Sequence, residues 1–527
     1  MPAPDEPSRT SGPRTDEGPG LGGRSLVGGF WSTGSQVAPY AFTIIVSVVA
    51  ARALGPGPLG RQSFIAFVVL VVTTICAAGM PLALMRAYGE ALGRGSPGSI
   101  RGLTRWGYRV AFVAAVAGTS TLLVVAALGA EPQAAWVFGA IAVAAGILHR
   151  VPASILLGTQ HWREYSVVTL TCGGIGTAVT VLVLVLGAGI TGMLAVAAGV
   201  ALTMLAWSVH LTRRVVRSLG TDETAELADL RRAASRFAMA TSVAVILSFI
   251  VAQRSELFFL NHFSPDDEIA FYTIAFSAVT MLNTVPMGMA SVILPTFASF
   301  VGAGQTERIR ASYSRALRLL TLLTIPITLG GFVLGPPLIA LVYGDLFESA
   351  GTAFRILILA VPLASIAAVS GALLAAYRRM RLPIVVSAVG AAADIIAAAL
   401  LVPHLDAAGA ALANDIAVIA GTSIQFAYCV RFLGGVDLAP WRLLRLTLAS
   451  AAAAAGAQAV LEIGSGLAPL MLAAFVWIAM LAILITQLRV LSATDVAWLT
   501  SAVRSTRARR FAGVFSLLGG RSAPAAP

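Results

Sequence analysis

The sequence contains no lysine: all 36 of its basic side chains are arginine, set against 24 acidic ones for a net charge of +12. That absence excludes a Walker A loop, a Schiff-base lysine and the lysine of a kinase-type site. Cysteine is scarce as well. Cys76, Cys172 and Cys429 sit singly in apolar stretches without a CxxC pair and read as small buried side chains. His149, His161, His210, His262 and His404 are scattered, with no HExxH pair, so neither a metal site nor a cofactor is expected. Charged residues make up only 11% of the chain. The arginines form short clusters between apolar runs rather than a face, which argues against a nucleic-acid partner.

What fills the chain instead is apolar: 57% hydrophobic residues and a mean hydropathy of +0.86, well above the roughly 45–50% apolar content of soluble domains. A bilayer core about 30 Å thick takes roughly 20 apolar residues per helix, and such stretches recur from residue 25 onward. The expected fold is an all-α polytopic membrane protein with about fourteen transmembrane helices.

Residues 1–24, rich in Pro, Gly, Ser, Thr, Asp and Arg, cannot bury enough surface to order and read as a tail without the apolar run of a signal peptide. Arginine then alternates between connections. One set carries Arg86, Arg94 and Arg101, then Arg150 and Arg163, Arg213 to Arg232, Arg308 and Arg310, Arg378 to Arg381, and Arg431 and Arg442. The set between them, around Glu131, Gly187, Asp266, Asp345, Asp406 and Glu462, has almost none apart from Arg52 and Arg61 at its first turn. By the positive-inside rule the protein lies in the cytoplasmic (inner) membrane with both termini cytoplasmic.

The chain repeats itself at an offset of roughly 210–220 residues: 59–67 aligns with 269–277, 153–169 with 371–387, and 190–194 with 407–411. Two six-helix lobes with an even number of crossings enter from the same side, so they form a parallel repeat with any solute path between them. The expected organisation is an N-lobe over 25–210, a cytoplasmic linker over 211–235 and a C-lobe over 236–430. Spans thirteen and fourteen then occupy 431–489, and 490–527 is a basic cytoplasmic tail. That tail fits either an amphipathic segment on anionic lipid or an unstructured basic extension.

A headgroup crossing hydrocarbon must exchange water for hydrogen bonds. On the first span Ser32, Gln36, Thr43 and Ser47 share an arc of roughly 60°. On the eighth, Thr273, Ser277, Thr280, Thr284 and Ser291 do the same, with Asn283 on the shoulder. These stripes read as cavity walls or as helix–helix glue, and Pro39, Pro286 and Pro295 are expected to kink their helices. Arg254 and Glu256 fall in the outer half of the seventh span, Asp394 mid-span in the eleventh, and Asn414 and Asp415 early in the twelfth. Ionisable groups at such depth mark function or a buried pair. Arg254 suits a phosphate in the cavity. Glu256, Asp394, Asn414 and Asp415 are candidates for coupling to H+ or Na+, the other reading being an ion pair of the aspartates with Arg254 or Arg355.

The ordered set Ala51-Arg52-Ala53-Leu54-Gly55-Pro56 to Gly60, Ala270-Phe271-Tyr272, Leu294-Pro295, Val342-Tyr343-Gly344, Arg355-Ile356-Leu357 with Pro362-Leu363, and Ala408 to Ala413 resembles the polysaccharide transporter branch of the multidrug, oligosaccharidyl-lipid and polysaccharide flippase superfamily. The resemblance implies two lobes forming a V, alternating access, and a polyprenyl-pyrophosphate-linked oligosaccharide as cargo for cell-surface polysaccharide biosynthesis. Intramembrane charges are fewer here than in many members of that family. The expected function is therefore a flippase rather than an enzyme, with a lipid-linked saccharide and membrane lipids as partners. A cation-coupled drug or metabolite exporter and a non-transporting scaffold of a polysaccharide synthase are the alternatives.

Overall fold

The computed structural model describes residues 21–94, 96, 98–218, 227–252, 254–377, 379 and 381–488, with side chains described from residue 38 onward except 218, 244, 247–252, 285–292 and 295. Among these residues the chain is helical, with two 3-10 turns and no strand. In a bilayer this is how a chain so apolar satisfies its own backbone hydrogen bonds.

The first seven helices are α1 (Leu21–Leu54), α2 (Pro56–Ala77), α3 (Met80–Gly93), α4 (Ser99–Ala127), α5 (Gln133–Gly158), α6 (Trp162–Val185) and α7 (Gly189–Ser218). Next come α8 (Leu227–Ala252), α9 (Glu256–Phe263), α10 (Asp266–Gly302), α11 (Thr306–Tyr343), α12 (Ala350–Leu357), α13 (Val361–Ala376) and α14 (Arg381–Phe432), followed by α15 (Pro440–Leu461) and α16 (Leu467–Gln487). Ten helical stretches are long and apolar enough to cross a membrane. One of them, α14, makes two crossings around a bend at Asp406 (φ 48°). With α1, the pair α8–α9 and α10, the crossings number about fourteen in this multi-pass membrane protein.

Local chemistry sets the ends. Gly55, at φ 78°, turns the chain out of α1, and Pro56 opens α2 where its missing N–H is not needed. Three carboxylates, Asp266, Asp267 and Glu268, occupy the first turn of α10, where the helix dipole favours negative charge. Gly344, at φ 106°, stops α11. Two crossings are interrupted, one at Ala78–Gly79 between α2 and α3, where Pro81 opens the new helix, and the other at Arg254 between α8 and α9, with no proline at the break. The helices holding Pro39, Pro286 and Pro295 run through them without interruption. Helix also claims most of the expected 211–235 linker, since α7 runs to Ser218 and α8 begins at Leu227.

In the first lobe α4 and α7 both pack on α5, with Ile100, Leu103, Leu122, Ile147 and Ile155 fully buried. α15 and α16 pair with each other and lean on α11. Side chains such as Phe112, Val113 and Phe475 are left exposed, as surfaces bathed in acyl chains require.

The lobes join on the arginine-poor face. Gly57 and Gly60 of α2 lie against the first turn of α10: a Cβ at Gly60 would sit 1.7 Å from the Asp266 carbonyl oxygen. Beside it Arg61 pairs with Asp266 at 2.8 Å. Arg52 of α1 donates from Nε and Nη2 to the Val342 and Leu341 carbonyls of α11, both at 2.9 Å. The Ala407 N–H donates to Glu268 at 3.2 Å and braces the bend of α14 on α10.

Candidate functional site

Directly beneath this seal lies a cavity of about 440 Å³ between α1, α2, α6 and α7, closed by Arg254 at the α8–α9 break and by Thr273, Ile274 and Ser277 of α10. Its polar lining comes from Thr43, Ser47, Gln62, Ser63, Thr177, Thr180, Arg254, Thr273 and Ser277, and no carboxylate contributes. Four of the lining hydroxyls are already committed as donors to their own helix. Thr43 donates to the Pro39 carbonyl at 2.8 Å, Thr177 to Gly173 at 2.9 Å, Thr180 to Gly176 at 2.8 Å and Ser277 to Thr273 at 2.7 Å, each one turn back on its own helix. A hydroxyl so engaged keeps its lone pairs. With the unpartnered Thr273 hydroxyl and the Gln62 amide, the wall offers acceptors throughout and neutral donors at a few points.

Arg254 is the one charged side chain in the lining. Its backbone sits in the left-handed region at φ 53°, uncommon for a non-glycine residue, where the crossing breaks between α8 and α9. The guanidinium donates from Nη2 to Ser277 Oγ at 2.7 Å and lies 4.8 Å over the Phe276 ring. Among the described residues no carboxylate pairs with it. A cation at this depth faces protein dipoles, water or an anion.

Behind the cavity the same break places Ser255 and Glu256 against the eleventh crossing, in the first half of α14. Ser255 donates to Asp394 Oδ2, and Glu256 faces Asp394, Asn414 and Tyr272. Glu256 is 1% exposed and Asp394 2%, yet both Glu256 oxygens, Asp394 Oδ1 and the Tyr272 hydroxyl lack a hydrogen-bond partner. Two facing carboxylates away from water need a cation or a proton between them. Among the described residues no group of three or more His, Cys, Asp or Glu is arranged to hold a metal ion. The oxygens gathered here are two carboxylates, an amide and two hydroxyls.

The sequence-derived residues thus divide. Thr43, Ser47, Arg254, Thr273 and Ser277 converge on the cavity, and Glu256, Asp394 and Asn414 on the acidic cluster behind it. Asp415 is buried, with Oδ1 unpartnered, and stands apart from that cluster. Thr280, Asn283 and Thr284 continue the α10 stripe beyond the cavity lining: Thr284 donates to Met281 at 2.6 Å and Asn283 Oδ1 is buried without a partner. The side chains of Ser32, Gln36 and Ser291 lie outside the described residues. Asp394 pairs with neither Arg254 nor Arg355; Arg355 instead donates to the Phe332 carbonyl at 3.3 Å. Gln62, Ser63, Thr177 and Thr180 escaped sequence reasoning. For α6 the signal was present, because Gly173, Gly176, Thr177 and Thr180 recur at helical spacing.

The family described as "Polysaccharide biosynthesis protein" matches residues 49–352, and the one described as "Lipid II flippase MurJ" matches residues 269–494. No curated protein matches the chain. Among solved structures, it is similar to the inward closed conformation of the lipid II flippase MurJ (TM-score 0.66, 13% identity, covering 86% of this chain and 97% of that one). It is also similar to the inward-facing conformation of a multidrug resistance MATE family transporter of the MOP superfamily (0.64, 15%, 75% and 94%). A third likeness is to a MOP superfamily transporter from Pyrococcus furiosus (0.54, 14%, 78% and 95%), whose title notes a reversed polarity of the binding pocket.

Proposed function

We propose that this chain, which belongs to the polysaccharide biosynthesis protein family within the multidrug, oligosaccharidyl-lipid and polysaccharide flippase superfamily, carries a polyprenyl-diphosphate-linked oligosaccharide from the cytoplasmic to the outer leaflet. The observation that carries the reading is the polarity of the cavity: hydroxyl acceptors around one unpaired guanidinium, with no lining carboxylate. Sugar hydroxyls can donate to these acceptors, and Arg254 meets the phosphate of the carrier through charge-assisted hydrogen bonds. The guanidinium and the lack of a lining carboxylate disfavour a cationic drug, which weighs against the exporter reading.

In this reading the arginine-rich face is cytoplasmic, both termini lie on that side, and the contact between α2 and α10 closes the outer exit. The lipid tail stays in the bilayer while the headgroup occupies the cleft. Glu256 and Asp394, with Asn414 and Ser255, take up H+ or Na+ next to the break that bears Arg254, so cation occupancy and cargo occupancy act on one discontinuous crossing. Asp415 is a further coupling candidate from a separate position.

The test is reconstitution of the full chain in vesicles with a fluorescent polyprenyl-diphosphate oligosaccharide, read by loss of signal to an external quencher or lectin. Leaflet transfer that Arg254→Gln slows at least tenfold supports the proposal. Export of a soluble cation with no transfer of the lipid would instead establish the exporter. A scaffold would move neither and would tolerate substitutions at Arg254 and Asp394.

A further inference from the structure

A second cavity, larger than the central one and sharing no residue with it, lies near the arginine-rich face of the first lobe. It has a volume of about 540 Å³. Its walls are the start of α4 and the end of α7, and its floor is the end of α5, where Leu148 and Ile155 reach into it. At the mouth stand Arg101, Arg213 and Arg217, with Thr104, Tyr108 and Thr212 below them.

Four arginines elsewhere in the protein are neutralised locally. Arg61, Arg94, Arg232 and Arg318 each pair with a carboxylate. Arg101, Arg213 and Arg217 pair with none among the described residues, and no acidic side chain lines the slot. Three like charges gathered at one mouth repel each other unless an anion sits between them.

Below the mouth the slot turns apolar and runs into the lipid-facing surface. On α4, Phe112 lies one turn beyond Tyr108 on the same face, and it is 62% exposed. On α7, Leu202 precedes Leu205 and Val209 on one face and is 48% exposed. A ligand seated at the arginines therefore has a continuous apolar path toward the acyl chains. The slot asks for an anionic head on a hydrocarbon chain, standing at the depth of a bilayer interface.

We infer that this slot binds an anionic phospholipid of the surrounding leaflet, its phosphodiester held between Arg101, Arg213 and Arg217 and one acyl chain laid along Tyr108, Val209 and Leu205. Basic pockets between transmembrane helices have the chemistry to hold such headgroups. The inference does not depend on the cargo. It makes the first lobe, which contributes most of the central cavity, sensitive to membrane composition.

Native mass spectrometry of the full-length protein in detergent, titrated with phosphatidylglycerol, phosphatidylcholine or inorganic phosphate, tests it. Phosphatidylglycerol is expected to bind and to raise the melting temperature, the other two to do neither. Arg101→Gln with Arg217→Gln should weaken phosphatidylglycerol binding roughly tenfold to thirtyfold, from about 1 kcal/mol per basic residue at a membrane surface. Arg308→Gln with Arg315→Gln, the same charge change on the second lobe, should leave it unaltered. Leu205→Trp keeps the charges and fills the acyl path, so it should weaken the lipid and separate a lipid site from a bare anion site. Equal binding of inorganic phosphate, or equal losses in the two arginine pairs, overturns the inference. So does displacement of phosphatidylglycerol from the slot by a polyprenyl-diphosphate sugar, because the slot would then belong to the cargo. None of these readouts requires transport, and loss of flipping by the reconstituted protein leaves the lipid titration intact.

Discussion

Gly60→Ala is expected to prevent the outer ends of the lobes from closing. The added methyl would lie 1.7 Å from the Asp266 carbonyl oxygen, where ordinary contact begins near 3.4 Å. Its neighbour there is backbone in the first turn of α10, which cannot rotate aside, so α2 and α10 must part. Overpacking of this kind costs about 1–3 kcal/mol, and 2 kcal/mol shifts a closed-to-open ratio roughly thirtyfold. The adjacent Arg61–Asp266 ion pair, with both side chains partly exposed to solvent, is worth at most about 1 kcal/mol after screening, so Arg61→Ala should shift the ratio much less. Labels at Pro58 and Glu348, in a background with the three native cysteines replaced, would report the separation by pulsed electron–electron resonance. A population lengthened by several ångström should dominate in Gly60→Ala and stay minor in Gly89→Ala, where the new methyl would lie 3.7 Å from the nearest carbonyl. An unchanged distance distribution in Gly60→Ala would refute the idea that this glycine contact holds the exit shut.

Three further outcomes are expected. Arg254→Gln should slow lipid transfer roughly tenfold to a hundredfold, from the 1.5–3 kcal/mol of a hydrogen bond to a charged group, while Arg254→Lys keeps part of the rate; equal activity of Gln and wild type in the vesicle assay would exclude a phosphate contact. Asp394→Asn should abolish any dependence of transport on a Na+ or H+ gradient, whereas Asp415→Asn, which breaks no hydrogen bond among the described residues, should raise or leave unaltered the thermal midpoint; the reverse pattern would move the coupling site to Asp415. At the arginine-poor end of α10, burial holds the Glu268 carboxyl above its ordinary value, partly offset by the Ala407 N–H and reinforced by Asp406 and Asp267. The folded state then binds this proton more tightly than the unfolded chain, so stability should rise as pH falls through the folded pKa and flatten below the ordinary one. Glu268→Gln should remove that slope from melting curves between neutral and mildly acidic pH.

The crossings were legible because hydropathy and the alternation of arginine report the same membrane independently, and each is a property of sequence alone. The two interruptions were not. Gly79 and Pro81 flank the first, but glycine and proline recur in many of these crossings without breaking them; around Arg254 the local sequence has neither, and the packing of neighbouring helices sets that break. Half of the cavity was visible as the stripes of α1 and α10. The α6 stripe of Gly173, Gly176, Thr177 and Thr180 had the same periodicity and was overlooked beside longer ones. The facing of Glu256 and Asp394 could not be read from either helix, because it arises only when crossings far apart in sequence are brought together.

The back-bonded hydroxyls of the central cavity have one more implication under the proposed reading. Each is tethered to its own helix, so the lining counts hydrogens offered to it and is nearly blind to the stereocentre from which they come. Epimeric glycans of equal size should then travel at similar rates, and fidelity to one repeat unit would rest with the glycosyltransferases that build it rather than with the carrier that exports it.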